Sequence, residues 1–129
     1  MERYRVIFVC TGNICRSPLA HRMFEKIAES RGVKHRFEVE SAGTGAWHQG
    51  EEVDRRMRRT AAEHGLKVSH RATKLTRDDL SYYDLIIVMT EGHRRDILRT
   101  TQDRVVMDKV RLLREFDPDV PEGEVVPEV

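Results

Sequence analysis

The feature that most constrains the fold of this chain is an apolar strand near its N-terminus that runs directly into a short loop and a helix. Arg5 to Cys10 is an almost continuous run of β-branched and aromatic residues, which is typical of a strand covered on both faces in a parallel sheet. Five residues separate Cys10 from Arg16, and Pro18 then favours the first turn of a helix. This opening predicts a strand, loop and helix unit of an α/β fold.

The rest of the chain repeats this alternation of strands and helices. We expect strands at Phe37–Ala42, Tyr83–Met89 and, more weakly, Lys109–Leu113. We expect helices at Pro18–Arg31, Asp54–His64 and Glu91–Thr100, and a short helix before Leu80 that Thr76 caps with Asp79 in third position. The pattern predicts a three-layer, doubly wound α/β fold with a four-stranded parallel sheet and helices on both faces. Such sheets bind ligands at the carboxyl ends of their strands, where Cys10 lies.

Length and composition narrow the possible functions. The 129 residues predict a single domain over residues 1–129. Because 23 Lys and Arg nearly balance 22 Asp and Glu, no overall field favours nucleic acid or an anionic membrane surface. No apolar run approaches the ~18 residues of a membrane span. Two cysteines are too few for a secreted disulfide framework, so we predict a cytoplasmic protein that binds neither nucleic acid nor membrane.

The residues from Cys10 to Ser17, called here the cysteine loop, predict an anion site around a nucleophile. A loop this short must curl, so its backbone N–H groups converge near the sulfur at the positive end of a helix. Helix N-termini and nearby cations favour the thiolate form of a cysteine. The predicted phosphate-binding residues are Thr11, Gly12, Asn13, Ile14, Cys15, Arg16 and Ser17.

Three side chains of the cysteine loop have predicted chemical roles. Cys10 is the nucleophile, and the planar guanidinium of Arg16 can hold two oxygens of a phosphoryl group. Ser17 places a hydroxyl near the sulfur, where it can stabilise a departing thiolate. A strand-end cysteine alone is more often a small buried apolar residue, but Arg16 and the loop favour the catalytic interpretation.

The stretch CTGNICRSP, from Cys10 to Pro18, resembles the signature of the low-molecular-weight protein tyrosine phosphatases. The resemblance extends over residues 4–118. Further matching segments are Ser41-Ala42-Gly43-Thr44, Trp47 with Gly50, Asp54-Arg55-Arg56, His70-Arg71-Ala72 and Tyr83–Met89.

The resemblance implies a mechanism and a partner class. It implies hydrolysis of phosphotyrosine through a phosphocysteine on Cys10, with Arg16 clamping the phosphate and with no metal or organic cofactor. It also implies that Asn13 has a positive φ and is held by hydrogen bonds from Ser17, Ser41 and His70. Tyrosine-phosphorylated proteins are the implied partners. For His70, loop support is favoured over a role as catalytic base.

Substrate choice depends on two apolar residues. Ile14 and Trp47 would form walls on either side of a flat ring, which favours phosphotyrosine over phosphoserine. Related phosphoarginine phosphatases carry Thr at the position of Ile14. Arsenate reductases of this fold need further cysteines near the strand that ends at Met89, and this chain has none after Cys15. The alternatives to a tyrosine phosphatase are a phosphate-binding module with little turnover, or a phosphoarginine phosphatase or arsenate reductase of the same fold.

The chain departs from the family pattern at the general acid. The family places this acid as an Asp before Pro and two Tyr, and no Asp-Pro-Tyr-Tyr occurs here. We expect the acid loop and a last helix to lie beyond Val129, with Asp117 of Asp117-Pro118 as the alternative acid. Thr90 also stands where the family usually has Asp.

The remaining candidates have competing interpretations. Cys15 either packs beneath the loop or traps oxidised Cys10 as a reversible disulfide. A zinc site built on Cys10 and Cys15 is not expected, because their spacing is wrong and the six His show no paired ligand pattern. The arginines at 55, 56, 58 and 59 predict a solvated helix face, with a docking surface for acidic phosphoproteins as the lesser alternative.

Overall fold

The computed structural model describes residues 2–116, which form an α/β sandwich in three layers. Its strands are β1 (Tyr4–Cys10), β2 (Phe37–Gly43), β3 (Leu85–Val88) and β4 (Val110–Leu112). Its α-helices are α1 (Arg16–Ser30), α2 (Arg55–Glu63), α3 (Arg77–Tyr82), α4 (Glu91–Leu98) and α5 (Arg104–Lys109). Short 3₁₀ turns occupy Lys34–Arg36 and Leu113–Phe116.

The four strands form one sheet in the order β2-β1-β3-β4, and every neighbouring pair is parallel. In this register Cys10 lies beside Gly43 of β2, and Val9 lies beside Val88 of β3. The predicted four-stranded parallel sheet is therefore confirmed. Because the chain leaves β1 toward β2 on one side and reaches β3 on the other, Cys10 lies at the point where the strand order reverses.

Apolar side chains cover both faces of the sheet. On one face, alternate residues of β1 and β3 pack with α3, α4 and α5 through Ile7, Val9, Ile86, Val88, Leu80, Ile97 and Val106. On the other face, the intervening residues pack against α1 through Val6, Phe8, Cys10, Ile87, Ala20 and Phe24. Helix α2 joins this second side through Met57 and Ala61, which pack with Leu19 of α1. The predicted helices on both faces are confirmed.

Local capping signals place two of the helices as expected. The Asp54 carboxylate accepts the N–H of Met57 at 2.9 Å and caps α2. The Thr76 hydroxyl accepts the N–H of Asp79 at 3.2 Å, and the Asp79 carboxylate accepts the N–H of Thr76 at 2.9 Å. This reciprocal capping box begins α3 and bears out the predicted roles of Thr76 and Asp79.

Two features of the helices differ from the sequence expectation. Helix α1 begins at Arg16, two residues before Pro18, so the proline occupies the third helical position. Helix α5 was not predicted, because its six residues bury only Val106 and leave too short an apolar pattern to recognise. None of the helices within residues 2–116 is long and apolar enough to span a membrane.

Candidate active site

The sulfur of Cys10 lies at the carboxyl end of β1 and is enclosed by donors from the following turn. Cys10 is buried, and its Sγ is 2.9 Å from the Oγ of Ser17, which is itself fully buried. The backbone N–H of Asn13 points at the same sulfur over 3.3 Å. The Asn13 N–H can only donate to this sulfur, whereas the Ser17 hydroxyl can either donate to it or accept from it.

Asn13 fixes the shape of the cysteine loop. It is fully buried, and with φ 58° it is the one non-glycine residue within residues 2–116 that has a positive φ. Its Oδ1 accepts the N–H of Thr73 at 2.8 Å and lies 2.7 Å from Nε2 of His70, while its Nδ2 donates to the Ser17 hydroxyl at 2.9 Å. The strained backbone is thus held by several partners at once.

Ser41 reaches Asn13 indirectly, which corrects the contact implied by the family resemblance. The Ser41 hydroxyl lies 3.3 Å from Nε2 of His70 and 3.4 Å from Nδ1 of His21, and it makes no hydrogen bond to Asn13. The additional direct contact comes from Thr73, whose backbone N–H the sequence did not single out. Burial, together with the nearby His21, lowers the pKa of His70. His70 is therefore mainly neutral at pH 7, as loop support requires.

The end of β2 brings its backbone against the cysteine loop. The N–H of Thr44 donates to the Cys10 carbonyl at 2.9 Å, and the N–H of Gly45 donates to the Thr11 carbonyl at 3.0 Å. A Cβ on Gly43 would lie only 2.5 Å from the Thr11 carbonyl oxygen. This close approach requires glycine at position 43.

Arg16 is placed where an anion would be bound. It is the first residue of α1, it is half-buried, and its guanidinium makes no hydrogen bond or ion pair with any residue in 2–116. Helix α1 begins without a side-chain cap at Cys15. The first N–H groups of this fifteen-residue helix therefore remain available to bind an anion, and Arg16 lies in the same turn.

Residues 44–52, called here the tryptophan loop, lie beside the cysteine loop. Trp47 has 74% of its surface exposed and packs against the backbone of Gly45. The imidazole of His48 covers Gly12, because a Cβ placed there would lie 2.9 Å from Cδ2 of His48. His48 is in turn hydrogen-bonded to Glu51. The sequence predicted the position of Trp47 in a loop but did not identify His48 as a neighbour of the cysteine loop.

A buried histidine of α4, the helix that follows β3, also contacts the cysteine loop. The Thr11 hydroxyl lies 2.8 Å from Nε2 of His93, which is buried in the first turn of α4. Thr90 is the N-cap of this helix, and its hydroxyl accepts the N–H of His93 at 3.2 Å. An Asp at position 90 would cap the helix in the same way, so the departure from the family pattern preserves the local structure.

The remaining predicted site residues have different environments. The Ile14 carbonyl accepts the N–H of Asp54 at 2.6 Å, which ties the cysteine loop to the start of α2. Cys15 is an exposed free thiol, whereas Cys10 is buried. Partial burial, followed by the charges of Asp54 and Cys10, raises the pKa of the Cys15 thiol. The alternative acid Asp117 lies outside the described residues.

Comparison with known proteins identifies the family of this chain. The family model described as Low molecular weight phosphotyrosine protein phosphatase matches residues 5–127. The chain belongs to this family. A low molecular weight protein-tyrosine-phosphatase from Streptomyces coelicolor is 44% identical over 122 residues, covering 95% of this chain and 74% of that protein. The human low molecular weight phosphotyrosine protein phosphatase is 36% identical over 114 residues, covering 88% of this chain and 72% of that protein.

Solved structures agree with the membership of the low-molecular-weight phosphatase family. A protein tyrosine phosphatase from Entamoeba histolytica superposes with a TM-score of 0.88 at 26% identity, covering 97% of this chain and 79% of that one. A Drosophila arginine phosphatase superposes with a TM-score of 0.78 at 28% identity, covering 85% of this chain and 71% of that one. Proteins described as a tyrosine phosphatase and as an arginine phosphatase therefore share this fold.

Proposed function

We propose that this chain is a protein tyrosine phosphatase that hydrolyses phosphotyrosine through a phosphocysteine intermediate on Cys10. The observation that carries the proposal is the position of the Cys10 sulfur, which contacts the Asn13 N–H and the Ser17 hydroxyl at the start of α1. The steps below require no metal or organic cofactor. Positioning and charge stabilisation supply most of the catalysis in phosphoryl transfer.

In the first step, the Cys10 thiolate attacks phosphorus in line with the aryl oxygen. A sulfur–phosphorus bond forms as the bond from phosphorus to the aryl oxygen breaks, and the leaving oxygen takes a proton from a general acid. Arg16 binds two equatorial oxygens through its guanidinium, and the N–H groups of the cysteine loop bind the others. The tyrosine side chain leaves with its hydroxyl restored.

In the second step, water attacks phosphorus and the sulfur–phosphorus bond breaks. The general acid of the first step, which is now deprotonated, takes a proton from the water, inorganic phosphate is released, and Cys10 leaves as a thiolate. The Ser17 hydroxyl lies 2.9 Å from Sγ, so it can donate a hydrogen bond to the sulfur as negative charge returns. This hydrogen bond lowers the activation free energy for breaking the sulfur–phosphorus bond, because it stabilises the departing thiolate.

In this proposal, Asp117 does not donate the proton to the leaving group. The general acid is another Asp, in the family's acid loop, as expected from the sequence. The variant Asp117→Asn tests this point. The ratio of its rates on p-nitrophenyl phosphate and on a phosphotyrosine peptide should equal the ratio measured for the parent protein. Nitrophenolate leaves without a proton, so a selective loss on the peptide would identify Asp117 as the acid.

An aryl phosphate is the proposed substrate because an aliphatic and an aromatic side chain lie near the cysteine loop. Ile14 is part of the loop, and Trp47 presents an exposed indole from the adjacent tryptophan loop. A second candidate, phosphoarginine, is favoured by the likeness to the Drosophila arginine phosphatase. Ile14 has no hydroxyl to meet a guanidinium, so we expect phosphotyrosine peptides to be cleaved at least about tenfold faster than phosphoarginine peptides.

The variants Cys10→Ser and Cys15→Ser form a matched test of the mechanism. Cys10→Ser should lower turnover of a phosphotyrosine peptide by at least about a thousandfold while retaining phosphate binding. Cys15→Ser should keep most of the activity, since Cys15 is exposed and its side chain has no assigned role in the steps. Turnover that survives Cys10→Ser would overturn the proposal, and phosphate binding without turnover by the parent would favour a binding module.

The proposed partners are tyrosine-phosphorylated proteins, and the proposed location is the cytoplasm. Both cysteines are free thiols, which suits a reducing compartment. Fractionation of cells that express the chain would test it. Recovery with cytoplasmic proteins is expected, and recovery in a membrane or secreted fraction would contradict this part of the proposal.

A further inference from the structure

Three potential metal ligands converge around His70, which contacts Asn13 of the cysteine loop. His21 comes from α1, Glu40 from β2 and His70 from the segment between α2 and α3. One donor atom from each lies within 4.8 Å of the other two. His21 and His70 are half-buried, whereas Glu40 is exposed. Within residues 2–116, no second group of three such side chains comes this close.

We propose that His21, Glu40 and His70 bind one divalent cation of the zinc class. Two imidazoles and a carboxylate are borderline ligands that suit Zn²⁺, with water completing the coordination. Bonds of about 2.0–2.1 Å in tetrahedral geometry place ligand atoms roughly 3.4 Å apart. Starting from separations of at most 4.8 Å, each donor atom needs to move inward by less than about 1 Å.

The present contacts of the His21 imidazole are weak enough to be replaced by a bond to a metal ion. Its Nδ1 lies 3.4 Å from the Ser41 hydroxyl, and its Nε2 lies 3.5 Å from a carboxylate oxygen of Glu25. Both distances are at the long limit for hydrogen bonds, so a metal bond would replace only weak interactions. Glu25 is then placed to hold the second ring nitrogen, as outer carboxylates do for metal-bound histidines.

The proposed site is connected to the cysteine loop through His70. Nε2 of His70 lies 2.7 Å from Oδ1 of Asn13, the residue with positive φ at the centre of the loop. A cation on His70 therefore acts on the side chain that positions Asn13. The site is an accessory one, because none of its three ligands takes part in the proposed phosphoryl transfer.

Zinc binding must be measured without interference from the cysteines, since thiolates also bind zinc. The background for the test is therefore the double variant Cys10→Ser/Cys15→Ser of the full chain. Equilibrium dialysis against Zn²⁺ should give one bound ion per chain. Substitution by Co²⁺ should give the visible absorption of a low-coordinate nitrogen and oxygen site, and binding should shift the Asn13 amide resonance.

Matched substitutions locate the ion. In this background, His21→Gln and Glu40→Gln should each weaken Zn²⁺ binding at least about tenfold. The controls His35→Ala and Glu63→Gln remove exposed side chains elsewhere on the surface and should leave binding unchanged. Absence of stoichiometric Zn²⁺ binding in the background protein would overturn the proposal. Unchanged affinity in both His21→Gln and Glu40→Gln would do the same, and neither result bears on the phosphatase activity of the parent.

Discussion

The cysteine loop and the tryptophan loop lie side by side but are held in very different ways. Asn13 and Ser17 are fully buried, the Asn13 side chain is held by His70 and Thr73, and the Thr11 hydroxyl contacts His93. In the tryptophan loop, by contrast, Trp47 is mostly exposed. Under the proposed function, the nucleophile therefore lies in a well-anchored loop, while the side chain proposed to contact the substrate ring lies on the surface.

This contrast has an energetic basis. A positive φ at a non-glycine residue costs of order 1–3 kcal/mol, so it persists only where the surroundings hold it. Asn13 has four polar contacts from Ser17, His70 and Thr73 that do so. Trp47 contributes apolar area that only a bound ring would cover, so its energetic effect should appear on substrate binding.

Among the variants that retain Cys10, the largest effect on turnover is expected from Arg16→Lys. Lysine keeps the positive charge but loses the planar pair of donors, so kcat/KM should fall by about 10²–10³-fold on every phosphate ester. The matched control is Arg55→Lys on the exposed surface of α2, which should change kcat/KM less than about twofold. Steady-state kinetics with p-nitrophenyl phosphate and a phosphotyrosine peptide make the measurement. Equal values of kcat/KM for Arg16→Lys and the parent would contradict the proposed role of Arg16 in binding the phosphate.

The next effect concerns the strained position in the cysteine loop. Asn13→Ala places a residue that disfavours positive φ in a buried site and removes several hydrogen bonds, so the free energy of unfolding should fall by about 2–4 kcal/mol. Asn13→Gly tolerates the same φ and should lose less stability, although it also loses the hydrogen bonds. Urea unfolding measures both. Equal stability of the two variants would show that backbone strain contributes nothing at this position.

A smaller and more selective effect is expected in the tryptophan loop. Trp47→Ala should raise KM for a phosphotyrosine peptide by roughly five- to tenfold through lost contact with the ring. Because Trp47 is 74% exposed, the free energy of unfolding should change by less than about 0.5 kcal/mol. Trp47→Phe is the control that retains a flat ring. An equal loss with phosphoserine peptides would contradict the role of Trp47 as an aromatic wall.

The smallest effect concerns the reactivity of the Cys15 thiol. Because its pKa is raised, Cys15 has less thiolate than a free cysteine at the same pH, so iodoacetamide should modify it a few times more slowly at pH 8. Its rate should rise as the pH approaches the raised pKa. Peptide mapping in the Cys10→Ser variant follows Cys15 alone, with free cysteine as the reference thiol. Faster modification of Cys15 than of the reference would contradict the raised pKa.

Local sequence patterns were sufficient for the sheet and for the position of the nucleophile. The apolar run of β1 ends at Cys10, and the cap residues Asp54 and Thr76 lie next to the helices that they begin. These signals act over a few residues, so they can be recognised without knowledge of the tertiary fold. Helix α5 was missed because a six-residue helix has too few turns to establish a period.

Contacts between distant segments could not be predicted from local sequence patterns, and the contact between His70 and Asn13 was expected only from the family resemblance. His93 meets Thr11 across 82 positions, and Thr73 meets Asn13 across 60. His48 is close in sequence to Trp47, yet its position over Gly12 depends on the path of the tryptophan loop. The six His show no paired spacing for a metal, since His21 and His70 come together only when α1 packs beside the segment after α2.

The most direct measurement is the trapping of the phosphorylated enzyme. The parent protein is mixed rapidly with excess p-nitrophenyl phosphate and quenched, and its peptides are then mapped by mass spectrometry under conditions that preserve sulfur–phosphorus bonds. We expect one phosphoryl group on the peptide that contains Cys10, and none when Cys10→Ser is treated in the same way. A phosphoryl group on another residue, or turnover by the parent without any label on Cys10, would contradict the proposed mechanism.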